Sequence, residues 1–373
     1  MHIGLLFTYG YSLNTWKESG TLAREILFYK KLAKENNVKF TFFTYGDEGD
    51  LDIDLESENI QVIPIYKLVS ESGNKFLNLL KSLYIPFKLK KYFVSIDLIK
   101  QNQLQGAWVA ILLKLLTGLP LFTRTGYDVF KFSIHEKKSF LKIFTYYLLT
   151  QITLASSNFY TVSNKTELNY LNRKFLFSKN IALRPNWILD SEIVDIKERN
   201  ENEVISVGRL EQQKNYEKLI KLFEGSEYEI KVIGSGSKKE ELIKLAKEKR
   251  VNINFLGKVD NEELQNIYEK HLFFVTTSMF EGNPKSVLEA MSRGCIVIAS
   301  NIENHTEIIA EGENGYIIPN DCTSLDIFIN SLLQNKKKLQ EVSLESREYV
   351  LNNYGIKSLS EFALNDYRRL CKN

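Results

Sequence analysis

The sequence predicts an α/β protein of two domains with parallel sheets, and three observations predict it. Short apolar runs alternate with helix-patterned segments from one end of the chain to the other. That alternation implies parallel strands joined by right-handed helical crossovers. The alternation also resets. Arg184, Pro185, Asn186 and Trp187 interrupt an extended segment, and a polar stretch of mixed charge (190–203) follows before a second series starts. Finally, 373 residues are more than one sheet needs, in the range of about two to three domains.

Each element follows from its pattern. HIGLLFT (2–8) is a continuous apolar run and reads as a buried strand. Residues 21–34 place Leu22, Ile26, Leu27, Leu32 and Ala33 at helical spacing. VKFTFFT (38–44), IDLIK (96–100), LPLFTR (119–124) and FYTVS (159–163) are strand-like runs, with helical stretches around 105–117 and 138–153. The second series runs EVISVG (203–208), a helix from Asn215, YEIKVIG (228–234), a helix over 238–249 and VNINFLG (251–257). It continues with a helix over 261–269, LFFVTTS (272–278), a helix over 285–293 and CIVIAS (295–300). Asp260 with Glu263 forms a capping-box pattern at one helix start. The tail from about residue 322 is helical in pattern. The expected division is a Rossmann-like domain over 1–186, a second over 187–355, and a helix over 356–373 that returns to the first. Ligands of such sheets bind beyond the carboxyl ends of the strands, so the expected site is a central cleft which the two sheets face.

Composition narrows the class. The chain is 44% hydrophobic and 25% charged, as globular proteins are. Cys295, Cys322 and Cys371 form no CxxC pair, which argues against a disulfide framework and a cysteine metal site. MHIGLLFTYGYS lacks a basic leader. GAWVAILLKLLTGLPLF (106–122) is interrupted by Lys114, Gly118 and Pro120, whereas a membrane span needs about 20 apolar residues. A cytoplasmic protein is expected. Residues 1–187 hold 24 basic and 15 acidic side chains, and the remainder 25 and 31. The basic front half suggests an anionic partner such as a membrane surface, a phosphorylated acceptor or nucleic acid.

Three motifs follow successive strands of the second domain. After EVISVG come Gly208, Arg209 and Lys214. Two cations at a strand's carboxyl end suit a diphosphate, Arg binding it bidentately and Lys as a point charge; the bland reading is two surface cations. After YEIKVIG, the turn from Gly234 through Gly236 to Ser237 would let backbone N–H groups approach phosphate. Equally, it could be a plain strand-to-helix turn. After LFFVTTS, the stretch FEGNPKSVLEAMSRG (280–294) sets Glu281 on a loop and Glu289 inside a helix. Asn283 is a plausible N-cap with Pro284 as first helical residue, leaving the amides of Asn283, Lys285, Ser286 and Val287 as donors. Each carboxylate can accept from paired sugar hydroxyls; the alternative is a turn residue and a helix residue with structural duties. Together the three motifs describe a diphosphate flanked by two polyols, which is a nucleotide sugar.

With those residues in view, 204–319 resembles the donor-binding domain of retaining glycosyltransferases of family 4, which have the GT-B fold. The matching segments are VGRLEQQKN (207–215), VIGSGSKKEEL (232–242), FLGKV (255–259), FEGNPKSVLEAMSRGCIVIAS (280–300) and EIIAEGENGYIIP (307–319). RPNWILD (184–190) is similar to the family's hinge, and SGTLAREILFYKKL (19–32) to its first loop and helix. The resemblance implies that Arg209 and Lys214 neutralise the leaving nucleotide diphosphate in place of a divalent metal. It implies that Glu289 holds the ribose hydroxyls and Glu281 the transferred sugar. The 282–287 backbone (Gly282, Asn283, Pro284, Lys285, Ser286, Val287) would grip sugar and phosphate. Gly257 and Lys258 would border the base, and Gly20 would let the first loop approach the phosphates. UDP is the default nucleotide, no cofactor or metal is required, and anomeric configuration is retained. The chain departs from many relatives at TRTGYD (123–128), where it lacks a His. Thr125 to Asp128 are placed near sugar or acceptor, with Asp128 a candidate base or a structural loop acid. Asn102 and Gln103 could also border the acceptor.

For the acceptor, KFLNLLKSLYIPFKLKKYF (75–93) holds five lysines, five aromatics and no acid. It reads as a membrane-surface patch or as aromatic core faces with solvated lysines. HEKKSFLKIFTYYLL (135–149) is a second such segment. With the basic balance, they suggest peripheral contact with the inner face of the plasma membrane and a glycan or lipid-linked acceptor of the cell envelope. No nucleic-acid recognition module is visible. A nucleotide-sugar epimerase of the same architecture and a non-enzymatic sugar-binding protein are the competing readings.

Overall fold

Strand β1 (His2–Leu6) is buried from Ile3 to Leu6 because it lies in the middle of a sheet. The computed structural model describes residues 1–126, 129–176, 180–189 and 195–372. Six further strands join β1: β2 (Lys39–Thr44), β3 (Ile60–Pro64), β4 (Leu98–Asn102), β5 (Leu121–Arg124), β6 (Phe159–Val162) and β7 (Ile181–Leu183). Their order is β3-β2-β1-β4-β5-β6-β7, paired in parallel. A second sheet contains β8 (Asn200–Val207), β9 (Glu229–Ile233), β10 (Ile253–Gly257), β11 (His271–Thr276), β12 (Ile296–Ala299) and β13 (Tyr316–Ile317). Its order is β10-β9-β8-β11-β12-β13, again parallel.

Contacts divide the chain into one unit of Met1–Pro185 with Leu359–Asn373 and another of Asn186–Ser358. The last helix, Ile356–Cys371, therefore contributes its residues from Leu359 onward to the N-terminal unit. Inside that unit Arg184 grips Asp366 bidentately, Nε to Oδ2 at 2.7 Å and Nη2 to Oδ1 at 2.8 Å. Such paired charge-assisted bonds fix orientation as well as distance. Tyr367 of the same helix packs on Phe122 of β5, ring centroids 5.2 Å apart.

The second sheet is buried on both faces, as parallel sheets are. Side chains alternate between its faces. Val204, Phe273, Val275, Ile296 and Ile298 join one core cluster, while Ile205, Phe274, Val297 and Ala299 join the other. The predicted strands of both domains are present within a few residues. The short outer strands β3, β7 and β13, and helices Lys75–Ser82, Ile85–Leu89 and Lys165–Lys174, carried too little pattern to be read in advance. At the helix Asn261–Lys270, Asp260 Oδ1 accepts the Glu263 amide at 2.8 Å.

In both sheets the strand order reverses once, at β1/β4 and at β8/β11. These reversals open crevices at the carboxyl ends of the strands, where α/β proteins bind ligands.

Candidate functional site

The crevice of the C-terminal unit is spanned by an ion pair. Lys214 follows β8 and Glu281 follows β11, and Lys214 Nζ lies 2.6 Å from Glu281 Oε1. Their side chains are only 15% and 8% exposed, so the pair is largely desolvated. Lys214 packs closely over Gly208. A Cβ there would stand 2.9 Å from Lys214 Cε and 3.2 Å from the Tyr216 hydroxyl. The lysine stem lies across the end of β8 against this glycine.

Glu281 is held by more than charge. The Ser278 hydroxyl donates to the same Oε1 at 2.6 Å. Ser300 Oγ in turn donates to the Ser278 carbonyl at 2.6 Å. Gln213 clasps the loop from below: its carbonyl accepts the Met279 amide at 2.9 Å and its Nε2 donates to the Phe280 carbonyl at 2.9 Å. Thr277 Oγ1 donates to the Asn215 carbonyl at 2.9 Å, and Asn304 Nδ2 to the Gly282 carbonyl at 3.0 Å. The loops after β8 and β11 therefore behave as one bonded unit.

His305 lies under this network, wholly buried. Its Nδ1 donates to the Ser300 carbonyl at 2.9 Å, which leaves Nε2 as an acceptor. Burial lowers its pKa, the Ser300 carbonyl and Glu281 act to raise it, and Lys214 acts to lower it. The imidazole is neutral at neutral pH.

Arg209 stands at the same strand end and is exposed, its Nη2 3.4 Å from Gln213 Oε1. Glu289 is half-buried in the helix Lys285–Ser292. Its carboxylate sits beside the buried Tyr268 hydroxyl, whose pKa is raised by burial first and by Glu289 next. Gly257 ends β10 with φ +76°, and Lys258 follows it, exposed. Gly20 is an exposed residue at φ +70° between helices Leu13–Glu18 and Leu22–Asn36 of the N-terminal unit. Asp128 lies outside the described residues, as does Tyr127. Thr125, just before them, is buried and bonded to Glu167 Oε1 at 3.2 Å.

Two expectations need correction. In the turn from Gly234 to Ser237 the first and last amides are already taken. Gly234 N–H donates to the Gly257 carbonyl at 2.7 Å. The Ser237 amide and hydroxyl both donate to Glu211, at 2.9 and 2.8 Å, and hold that carboxyl below its usual range. The glycines are there for packing: a Cβ on Gly234 would lie 2.0 Å from the Gly208 carbonyl oxygen, and one on Gly236 2.4 Å from that of Leu210. The second correction concerns the next helix. Pro284, not Asn283, occupies its cap position, and Lys285 is its first residue. The Lys285 amide donates to the Asn283 carbonyl at 2.9 Å and the Val287 amide to that of Pro284 at 3.0 Å. Neither is an open donor, because the tight turn at Pro284 takes both.

Sequence reasoning missed Ser278, Gln213, Asn304 and His305. Ser278 ended an apparent strand, Gln213 lies in the short 3-10 helix Gln212–Lys214, and Asn304 and His305 lie in the one-turn helix Glu303–Thr306, segments too short for their pattern to name a partner.

Residues 191–349 match the family model for glycosyl transferases group 1. A Haemophilus influenzae protein described as an uncharacterized glycosyltransferase is 26% identical over 42% of this chain, and the match spans 46% of that relative. An Escherichia coli UDP-Gal:alpha-D-GlcNAc-diphosphoundecaprenol alpha-1,3-galactosyltransferase is 24% identical over 76% of each chain. Among solved structures, sucrose-phosphate synthase from Thermosynechococcus elongatus superposes with a TM-score of 0.80 over 99% of each chain, at 18% identity. The C-terminal unit thus carries the match to glycosyl transferases group 1, and the chain has the two parallel-sheet domains of the GT-B fold.

Proposed function

We propose that the protein transfers a sugar from a nucleotide diphosphate sugar, by default a UDP-sugar, to a glycan or lipid-linked acceptor of the cell envelope. The observation that carries this reading is the Lys214–Glu281 pair across the β8/β11 crevice, with Arg209 at the same rim. A desolvated cation at a strand-order reversal is poised for an anion, and the carboxylate in contact with it is suited to hydroxyls. The family match and the lipid-diphosphate acceptor in the name of the Escherichia coli relative support the same chemistry.

In this reading the donor's diphosphate competes with Glu281 for Lys214 and recruits Arg209. The bond from the anomeric carbon to the phosphate oxygen breaks, and the acceptor oxygen bonds to that carbon on the same face. The acceptor's proton passes to the departing phosphate, so configuration is retained without a protein nucleophile. Lys214 and Arg209 stabilise the negative charge that develops on the leaving group, the largest electrostatic lever in such a step. They take the place of a divalent metal. Glu281, released from Lys214, accepts from sugar hydroxyls, and Glu289 from the ribose.

The basic, aromatic segment 75–93 supplies contact with an anionic membrane surface. Phe76, Leu80, Tyr84 and Phe87 are exposed there beside its lysines. No helix among the described residues is long and apolar enough to cross a membrane.

The test is a panel of nucleotide sugars scored for protection against unfolding and for slow nucleotide release, with and without a chelator. One donor should protect and be hydrolysed in chelator, and Lys214→Ala and Glu289→Ala should lose both effects. Normal donor binding and hydrolysis by those two variants would show the site to be elsewhere. The anomeric configuration of the product, read by NMR, decides retention.

A further inference from the structure

The N-terminal sheet has its own reversal of strand order, between β1 and β4. What stands at that crevice is aromatic. Tyr9 follows β1, Tyr45 follows β2, Tyr66 follows β3, and Trp108 opens the helix Ala107–Thr117 after β4. The rings form a row, with centroids 5.3 Å apart from Trp108 to Tyr9, 5.0 Å from Tyr9 to Tyr45 and 6.2 Å from Tyr45 to Tyr66. Gly106 brings the ends together. Its φ is +97°, and a Cβ would come within 3.2 Å of the Tyr9 nitrogen, whose N–H donates to the Gln105 carbonyl at 3.1 Å.

Tyr45 is buried and belongs to the core, but Tyr9, Tyr66 and Trp108 are only half-buried. Here the exposed Glu71 stands by two of the hydroxyls. Burial first, and Glu71 next, raise the pKa of Tyr9 and push that of Tyr66 up to about 12. Half-wet aromatic faces with one carboxylate at the edge are what a sugar ring needs. Its C–H face lies on the electron-rich rings, and its hydroxyls donate to the acid.

The row continues into a second surface. Trp108 Nε1–H donates to Ser82 Oγ at 2.8 Å, which ties the rings to the helix Lys75–Ser82. That helix and Ile85–Leu89 after it expose large apolar side chains, Phe76 by 67% and Phe87 by 57%. Lys75, Lys81, Lys88, Lys90 and Lys91 stand among them, and 75–93 contains no acid. An apolar strip rimmed by cations complements a chain that is greasy and joined to an anion.

We propose that the acceptor is a lipid-diphosphate sugar whose sugar ring stacks on Tyr9, Tyr66 and Trp108 against Glu71, while its lipid runs along Lys75–Leu89. This rests on the glycosyltransferase reading and names the substrate class and the residues that select it.

The full chain is titrated with farnesyl-diphospho-N-acetylglucosamine, with farnesyl diphosphate, and with N-acetylglucosamine 1-phosphate, read by tryptophan fluorescence. UDP is titrated in parallel on the same samples. The conjugate binds at least about tenfold tighter than either half. Tyr66→Ala and Glu71→Gln each weaken the conjugate by about tenfold and leave farnesyl diphosphate and UDP unchanged, while Tyr66→Phe, which keeps the ring, stays within about twofold. Conjugate and farnesyl diphosphate binding equally well, or both variants binding the conjugate as the unsubstituted chain does, overturns the platform with the donor reading intact. Should Tyr66→Ala lose UDP binding through misfolding, the surface change Glu71→Gln decides alone. Absence of binding by the unsubstituted chain of UDP and of every other nucleotide of the donor panel overturns the enzymatic reading and the acceptor role with it.

Discussion

Two sheets of the same winding reverse their strand order and furnish the crevice in different ways. At β8/β11 the C-terminal unit places Lys214 on Glu281, a cation answered by an acid. At β1/β4 the N-terminal unit places tyrosines and a tryptophan. Its buried lysine there, Lys100 on β4, donates to the Tyr29 hydroxyl at 2.9 Å and lies 4.7 Å from that ring's centre. Topology thus decides where a ligand goes and side chains decide which ligand. A charged crevice selects an anion, and an aromatic one selects a ring.

The sharpest way to break the comparison is Lys214→Ala. It leaves Glu281 buried without its cation, a loss of about 3–5 kcal/mol in stability, measured by urea unfolding. UDP affinity should vanish as well. The double change Lys214→Met with Glu281→Leu should recover stability and not UDP binding; equal stability of single and double variants would show that the pair is not coupled.

Gly234→Ala tests whether the loop after β9 is a packing device. Its φ of +141° and the 2.0 Å approach to the Gly208 carbonyl oxygen predict a loss of about 2–4 kcal/mol. A neutral result would restore the turn as a candidate anion grip.

Arg209→Ala separates function from stability. The side chain is exposed, so unfolding should shift by under about 0.5 kcal/mol. Turnover of the donor should fall about a hundredfold, and unchanged turnover would remove Arg209 from the site.

The smallest effect concerns Lys100. Burial, and then Arg124, hold its pKa well below 10.5, against the smaller opposing pull of Glu25. Between that lowered value and 10.5 the unfolded chain binds a proton that the folded chain does not, so stability rises with pH across the window. Unfolding free energy should therefore climb with pH below 10.5, with a gentler climb in Lys100→Met. Equal slopes in both proteins would mean that Lys100 stays charged inside.

Much of the fold was legible because each domain repeats one pattern. A continuous apolar run such as LFFV (272–275) makes sense only as a strand covered on both faces. Strands as short as Tyr316–Ile317 could not be read, since two residues carry no period. At the site, placement after a strand picked out Arg209, Lys214 and Glu281, and the structure brings the last two into contact. It could not tell that Gly234 serves Gly208, because the meeting of two backbones leaves no mark on side-chain chemistry. Asn283 was read as a cap from its type, whereas the turn that Pro284 closes takes the position.

By itself the sequence determined that this chain winds two parallel α/β sheets and which polar residues follow each strand, because periodicity and turn chemistry are local. Only the tertiary structure decided that Lys214 crosses Gly208 to meet Glu281, and that four aromatics from four separate segments form one row. Those meetings depend on which strands become neighbours, and neighbourhood is settled by long-range packing that no stretch of sequence encodes alone.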